Sequence, residues 1–227
     1  MDGAEMWQVI DDERASLADV FASLTDEQWA HPSLCAGWTV RDVAAHLSIG
    51  PRTGLGTVLV EMVRARGGFD RMVDNTARRK AARPRTELVA ELRAACGSRH
   101  LAPGQQLADA MMDVLVHGQD IALPLGLNRP MPLEAARAST EHTWRRGFPF
   151  HAQKRLRGLR LAATDVDWSA GAGLEVKGPI AALLLLVSGR HAAAMPRLAG
   201  PGVAVLSPAA PAGPGAAGGQ PPGGSQH

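Results

Sequence analysis

The sequence predicts a mainly α-helical fold. An antiparallel four-helix bundle is expected over residues 1–150, then a small α/β unit over 151–206 and a disordered Pro/Gly-rich tail over 207–227. Three observations predict it. Helix-period apolar spacing and capping signals fill the first two thirds, and short loops join them, which is the pattern of a bundle. Strand-like alternation begins only after Gly147-Phe148-Pro149. From Ser207 onward, 11 of 21 residues are Pro or Gly and none is a bulky apolar residue, so that stretch has nothing to build a core from.

The elements follow in order. Trp7, Ile10, Leu17, Val20, Phe21 and Leu24 keep helical spacing over residues 7–24. Thr25 to Gln28 and Thr39 to Asp42 both have capping-box spacing, the second opening a helix through Val40, Val43, Ala44 and Leu47. Leu55, Val58, Leu59, Met62 and Val63 suggest a helix over 52–66. The basic, proline-containing stretch 76–85 reads as a loop. Further helices are expected at Thr86 to Cys96, at Leu107 to Leu123 before Pro124, and at Pro132 to Trp144. Residues 159–164 and 174–177 read as strands joined by a turn-rich link that contains Gly171 and Gly173. An apolar helix then runs from Ile180 to Val187, and Val203 to Leu206 is expected to return as a strand. About 55 residues of α/β structure make a unit too small to stand without packing on the bundle.

Composition removes several functions. The longest apolar run, Ile180 to Val187, has eight residues, against the roughly 20 a spanning helix needs, so no membrane association is expected. The N-terminus is acidic without a long apolar core, so no secretory signal is expected, and two cysteines cannot frame a disulfide scaffold; a reducing cytoplasm is the default. There is no Tyr, which excludes a phenol acid. Residues 1–30 hold eight acids and one base, residues 52–85 nine bases and three acids, and residues 144–160 six bases and no acid. Such blocks read as solvated faces that partly neutralise one another, or as attraction for an anionic small ligand. Nucleic acid is not expected, because the net charge is +2 and no binding motif interleaves the bases with aromatics.

The segment 107–123 is the one that carries chemistry. At 100° per residue, Asp109, Asp113, His117 and Asp120 fall within an arc of roughly 80°, while the remaining circumference is mostly apolar. Such a stripe is either the one exposed edge of a buried helix or the wall of a wet cavity, and the geometry favours the edge. Asp113 and His117 are one turn apart, so both can reach one point. A carboxylate and an imidazole together suit Zn²⁺, Fe²⁺, Mn²⁺ or Ni²⁺, but a third ligand must come from another helix. His46, at the border of an apolar helix face, is the candidate. The other histidines lack a comparable partner in sequence, and neither Cys35 nor Cys96 lies in a redox motif, so each reads as a small boundary residue. Walker, nucleophile-elbow and H-E-x-x-H motifs are absent.

Two motifs carry a resemblance. Leu34-Cys35-Ala36-Gly37-Trp38-Thr39-Val40-Arg41-Asp42-Val43-Ala44-Ala45-His46-Leu47 resembles one signature of the mycothiol-dependent maleylpyruvate isomerase family, within the DinB-like superfamily of four-helix metalloproteins. Asp113 to Ala122, followed by Pro124-Leu125-Gly126, resembles its second. Gly178-Pro179, the leucine run and Ser188-Gly189-Arg190 resemble its C-terminal domain. The resemblance covers about 1–206. It implies three metal ligands, which fall on His46, Asp113 and His117; the family's isomerase has Glu where this chain has Asp113, and Asp120 is the alternative acid. It also implies an important arginine in the C-terminal domain, best matched by Arg190.

The chemistry implied is a cytoplasmic, actinobacterial enzyme with a divalent metal, foremost Zn²⁺, and mycothiol as thiol cosubstrate. Its substrate is a small electrophilic or anionic molecule. A metal-bound thiolate would add to the cis double bond of maleylpyruvate. Rotation and elimination then give the trans isomer; in an S-transferase the thiol would stay attached. The abundance of arginine (21, against three lysines) agrees with a GC-rich source. The alternative is a non-catalytic helical module that binds a metal or small ligand.

Overall fold

The computed structural model describes residues 1–49, 60–61, 63–66 and 68–206. The expected disordered tail, 207–227, lies outside the described residues, as does most of the helix expected at 52–66, of which 60, 61, 63 and 64 are helical.

Helix α1 spans Gly3–Ser23. Asp2 caps it by accepting from the Glu5 amide at 2.9 Å, and the Asp2 amide in turn donates to the Glu5 carboxylate at 2.7 Å. Its buried face, Ile10, Arg14, Leu17, Ala18 and Phe21, keeps helical spacing, and Arg14 is the one charge on it. Helix α2, Asp26–Ala30, starts at the expected Thr25–Gln28 box, and its Trp29 stacks on Phe21 with ring centroids 5.3 Å apart. Helix α3, Val40–Ile49, starts where Thr39 and Asp42 exchange bonds of 2.8 and 3.3 Å. Helices α4 (Phe69–Ala81), α5 (Arg85–Ala94), α6 (Leu107–Ala122) and α7 (Leu133–Arg146) follow. Helices α1, α3, α5 and α6 pack around one core, with α4 on α3 and α7 on α6.

The loop expected over 76–85 is mostly helix. Residues 76–81 continue α4, because Ala77 and Ala81 are buried while the bases between them are paired: Arg78 with Asp74 at 2.9 Å, Arg79 with Glu61 at 2.5 Å, and Lys80 with Glu91. Pro84 still marks the break, as the N-cap of α5. Most of the basic block is neutralised in this way, with Arg85 on Asp26 at 2.6 Å.

After α8 (Ala152–Arg155) come strands β1 (Leu159–Ala163), β2 (Ser169–Gly171) and β3 (Leu174–Gly178). They form a sheet of order β2-β1-β3, antiparallel across β1–β2 and parallel across β1–β3, with Leu161 facing Ala170 and Val176. The expected link holds the short β2 and ends in the tight turn its glycines suggest. Gly173 has φ 123°, and a Cβ there would stand 2.0 Å from the Gly158 carbonyl. Helix α9, Ile180–Val187, is buried on nearly every side because it lies between the sheet and α7. After the short α10 (His191–Ala194), the strand expected at 203–206 is instead a 3₁₀ turn, Pro201–Val205. Pro201 offers no amide to a ladder, and a Cβ on Gly202 would stand 2.8 Å from the Leu174 carbonyl, so the chain crosses β3 closely rather than pairing along it. Among the described residues no helix is long and apolar enough to cross a membrane.

Candidate metal centre

Helices α3 and α6 bring the three expected side chains together. His46 Nε2 lies 3.5 Å from Asp113 Oδ1, and His117 Nε2 lies 3.4 Å from the same oxygen. The two imidazole rings meet edge to face with centroids 4.8 Å apart. A tetrahedral ion with bonds of about 2.0–2.1 Å separates neighbouring donor atoms by about 3.4 Å, so both distances suit two edges of such a site. Asp113 and His117 are in place because i and i+4 share a helix face. His46 is in place because the Thr39 cap sets the start of α3, and Trp38, with its ring 5.5 Å from His46 and 6.4 Å from His117, walls both imidazoles. The Trp38 indole N–H is itself fixed to Asp74 at 2.7 Å.

Asp120 stands behind the group rather than in it. Fully buried, its Oδ2 lies 2.8 Å from His117 Nδ1, which orients the ring and leaves Nε2 pointing at Asp113. Arg190 reaches over from the segment after α9 and grips Asp120 with both Nε, at 3.0 Å, and Nη2, at 2.6 Å. Its remaining nitrogen donates to the Ser188 carbonyl at 2.8 Å. Cys35 completes the cluster: its Sγ donates to Asp120 Oδ2 at 3.0 Å and lies 3.5 Å from Arg190 Nη2. Cys35, His117 and Asp120 are therefore a second group of donor atoms close enough for a metal. Arg190 already supplies positive charge there, whereas no arginine hydrogen-bonds Asp113 among the described residues.

Charge follows this arrangement. Burial opposes ionisation of Asp113, but the charges of His117 and then His46 overcome it and hold the carboxyl well below the usual range. Burial likewise works against a charged His117, yet Asp113, Asp120 and Cys35 raise its pKa well above the ordinary value. Asp120 is held low against its burial by His117 and Arg190, and Arg190 is raised against its own burial by Asp120. The pocket attracts positive charge, as protons or as a dication.

His46, Asp113, His117 and Arg190 line a cavity of about 810 Å³, within the size range of small-molecule sites. The acidic stripe of α6 thus lines the wall of a cavity rather than the plain exposed edge favoured by wheel geometry. Further along the wall, Asp109 accepts from His142 at 2.6 Å and from Arg146 at 3.0 Å. Cys35, Trp38 and His142 escaped sequence reasoning, because their partners lie 85, 36 and 33 residues away along the chain. The motif around Trp38 was the one signal that pointed at two of them.

Residues 10–110 match the family model described as the mycothiol maleylpyruvate isomerase N-terminal domain, the family the two motifs suggest. A crystal structure of the mycothiol-dependent maleylpyruvate isomerase has the same fold at 13% identity, with a TM-score of 0.58 over 84% of this chain and 90% of that one. The crystal structure of a histidine-to-alanine mutant of that isomerase gives 0.61, again at 13% identity, over 88% of this chain and 93% of that one. No curated protein matches the sequence.

Proposed function

We propose that this chain, which carries the N-terminal domain of the mycothiol-dependent maleylpyruvate isomerase family, is a thiol-dependent metalloenzyme acting on a small electrophile. The observation that supports this most is the convergence of two imidazole nitrogens, at 3.5 and 3.4 Å, upon one oxygen of Asp113 at the wall of a cavity. His46, Asp113 and His117 would hold the metal, with Zn²⁺ the best match to two imidazoles and a carboxylate. A dication held by these residues would supply Lewis acidity that favours thiolate over thiol at neutral pH.

The chain's own residues do the rest. Asp120 holds the His117 Nδ1 proton, which keeps Nε2 free to ligate. Arg190, locked by Asp120 and Ser188, presents a fixed positive charge beside the site, suited to a carboxylate or to negative charge developing on the electrophile. Trp38 excludes water from one side of the imidazoles. The family points to mycothiol as the thiol and to cis–trans isomerisation as the reaction; S-transfer uses the same residues and differs only in whether the thiol is released.

The test is direct. Purified protein is expected to retain one equivalent of zinc and to convert maleylpyruvate, or to consume thiol with an electrophile panel, only when mycothiol is present. Zinc and thiol binding without turnover on any substrate would favour a non-catalytic binding module. Failure to retain a metal would end the proposal.

A further inference from the structure

Three guanidinium groups of described residues stand on the cavity wall, those of Arg14, Arg146 and Arg190. Two are matched by carboxylates within hydrogen-bond distance, Arg146 by Asp109 at 3.0 Å and Arg190 by Asp120 at 2.6 Å. Arg14 is not. Its neighbour Asp11 is 3.8 Å away. Asp11 is already engaged, one oxygen with Arg99 at 2.7 Å and the other with the Gly97 amide at 2.8 Å. Only Nη1 of Arg14 makes a hydrogen bond, to the Ala95 carbonyl at the end of α5, at 3.0 Å. Nε and Nη2 meet no acceptor among the described residues, although the side chain is only 9% exposed.

A guanidinium brings five donors and keeps its charge. Nε and Nη2 are not among the sealed, unpartnered atoms of the interior, so in a side chain that is otherwise buried they open onto the cavity, where a ligand's acceptors can meet them. Capping α5 explains one donor and not the fork that remains. The position on α1 is otherwise apolar, so a leucine would serve the core better. Arg14 lines the same cavity as His46, Asp113 and His117, so an anion held by Arg14 would share that space with the candidate metal centre.

We infer that Arg14 is an anion-recognition residue of the cavity, taking a carboxylate of a small organic acid while the rest of that molecule faces His46, Asp113 and His117. The inference rests on reading the cavity as a reaction chamber, and it assigns a residue of this chain that would hold the carboxylate there.

The probe is maleate, a small cis dicarboxylate, titrated calorimetrically into zinc-free and zinc-loaded protein beside its neutral diamide. Wild type is expected to bind maleate and not the diamide. Arg14→Met is expected to weaken maleate about 10–100-fold, the usual worth of a charge-assisted hydrogen bond. Arg14→Lys, which keeps the charge but loses the fork, is expected to fall between them. Zinc uptake should be unchanged in both. Because Arg14 also caps α5, a second measurement uses wild type alone: maleate should protect Arg14 from phenylglyoxal, as mapped by peptide mass spectrometry. Equal maleate affinity in Arg14→Met, no maleate binding to wild type, or equal labelling of Arg14 with and without maleate would overturn the inference. Zinc uptake failing while maleate still protects Arg14 would sink the metalloenzyme reading and leave this one standing. Thiol-dependent turnover with unaltered maleate binding in Arg14→Met would do the reverse.

Discussion

Helix α6 carries two acid–imidazole groups one turn apart on the same cavity wall. Asp109 sits in the first turn with His142 at 2.6 Å and Arg146 at 3.0 Å. Asp113 sits one turn on, with His46 and His117 at 3.5 and 3.4 Å. The first group is closed: one carboxylate meets an imidazole, a guanidinium and the Gln106 amide at hydrogen-bond distance. The second is open, with two imidazoles spaced as metal ligands are and, among the described residues, no arginine or lysine hydrogen-bonded to its carboxylate. The same residue types thus give a structural ion pair in one place and a candidate metal centre in the other. The difference lies in who supplies the positive charge.

The largest expected effect separates the two groups outright. His117→Ala should abolish stoichiometric zinc, a loss beyond the roughly 10–100-fold that a supporting residue costs, whereas His142→Ala should keep it; metal analysis after desalting reads both. Asp120→Ala comes next. It should weaken zinc affinity about 10–100-fold in a chelator competition. It should also cost roughly 3–5 kcal/mol in denaturant unfolding, because Arg190 loses its buried partner.

Changing pH should strain the groups at opposite ends of the scale. Without metal, the raised pKa of His117 gives stability that is complete below about pH 6.5 and lost as pH rises through the raised value. The zinc-free melting temperature should therefore drop on the alkaline side. With zinc bound the trend should reverse, since the metal needs unprotonated imidazole. Burial works against a charged Asp109, but His142, the Gln106 amide and Arg146 depress its pKa. Its contribution is present above about pH 3.9 and lost as pH falls through the folded value, so Asp109→Asn should flatten the acid limb. The smallest effect belongs to Cys35→Ser, which keeps a donor to Asp120. It should shift zinc affinity by less than about 10-fold, the lower end for outer partners.

Much of this was legible in the sequence because it is local. Capping boxes at Thr25 and Thr39, the apolar face of α1 and the i, i+4 pair Asp113 and His117 all follow from helical period. His46 needed the motif around Trp38, since nothing in spacing says which helix faces α6. What stayed hidden depends on long-range contact. Arg190 reaches Asp120 across 70 residues, Arg129 pairs with Glu13 across 116, and Arg14 becomes unusual only when Asp11 is seen bound to Arg99. The helix over 76–81 was obscured by its bases, whose acidic partners lie largely on other elements. Val203 to Leu206 looked strand-like because periodicity does not register how closely the chain crosses β3 at Gly202.

X-ray absorption of the zinc-loaded protein without thiol tests the central claim most directly. A first shell of nitrogen and oxygen alone at about 2.0–2.1 Å, with an imidazole scattering pattern, is expected from His46, Asp113 and His117. A sulfur neighbour at about 2.3 Å would place the ion on Cys35 instead, and together with zinc retention by His46→Ala it would contradict the assignment.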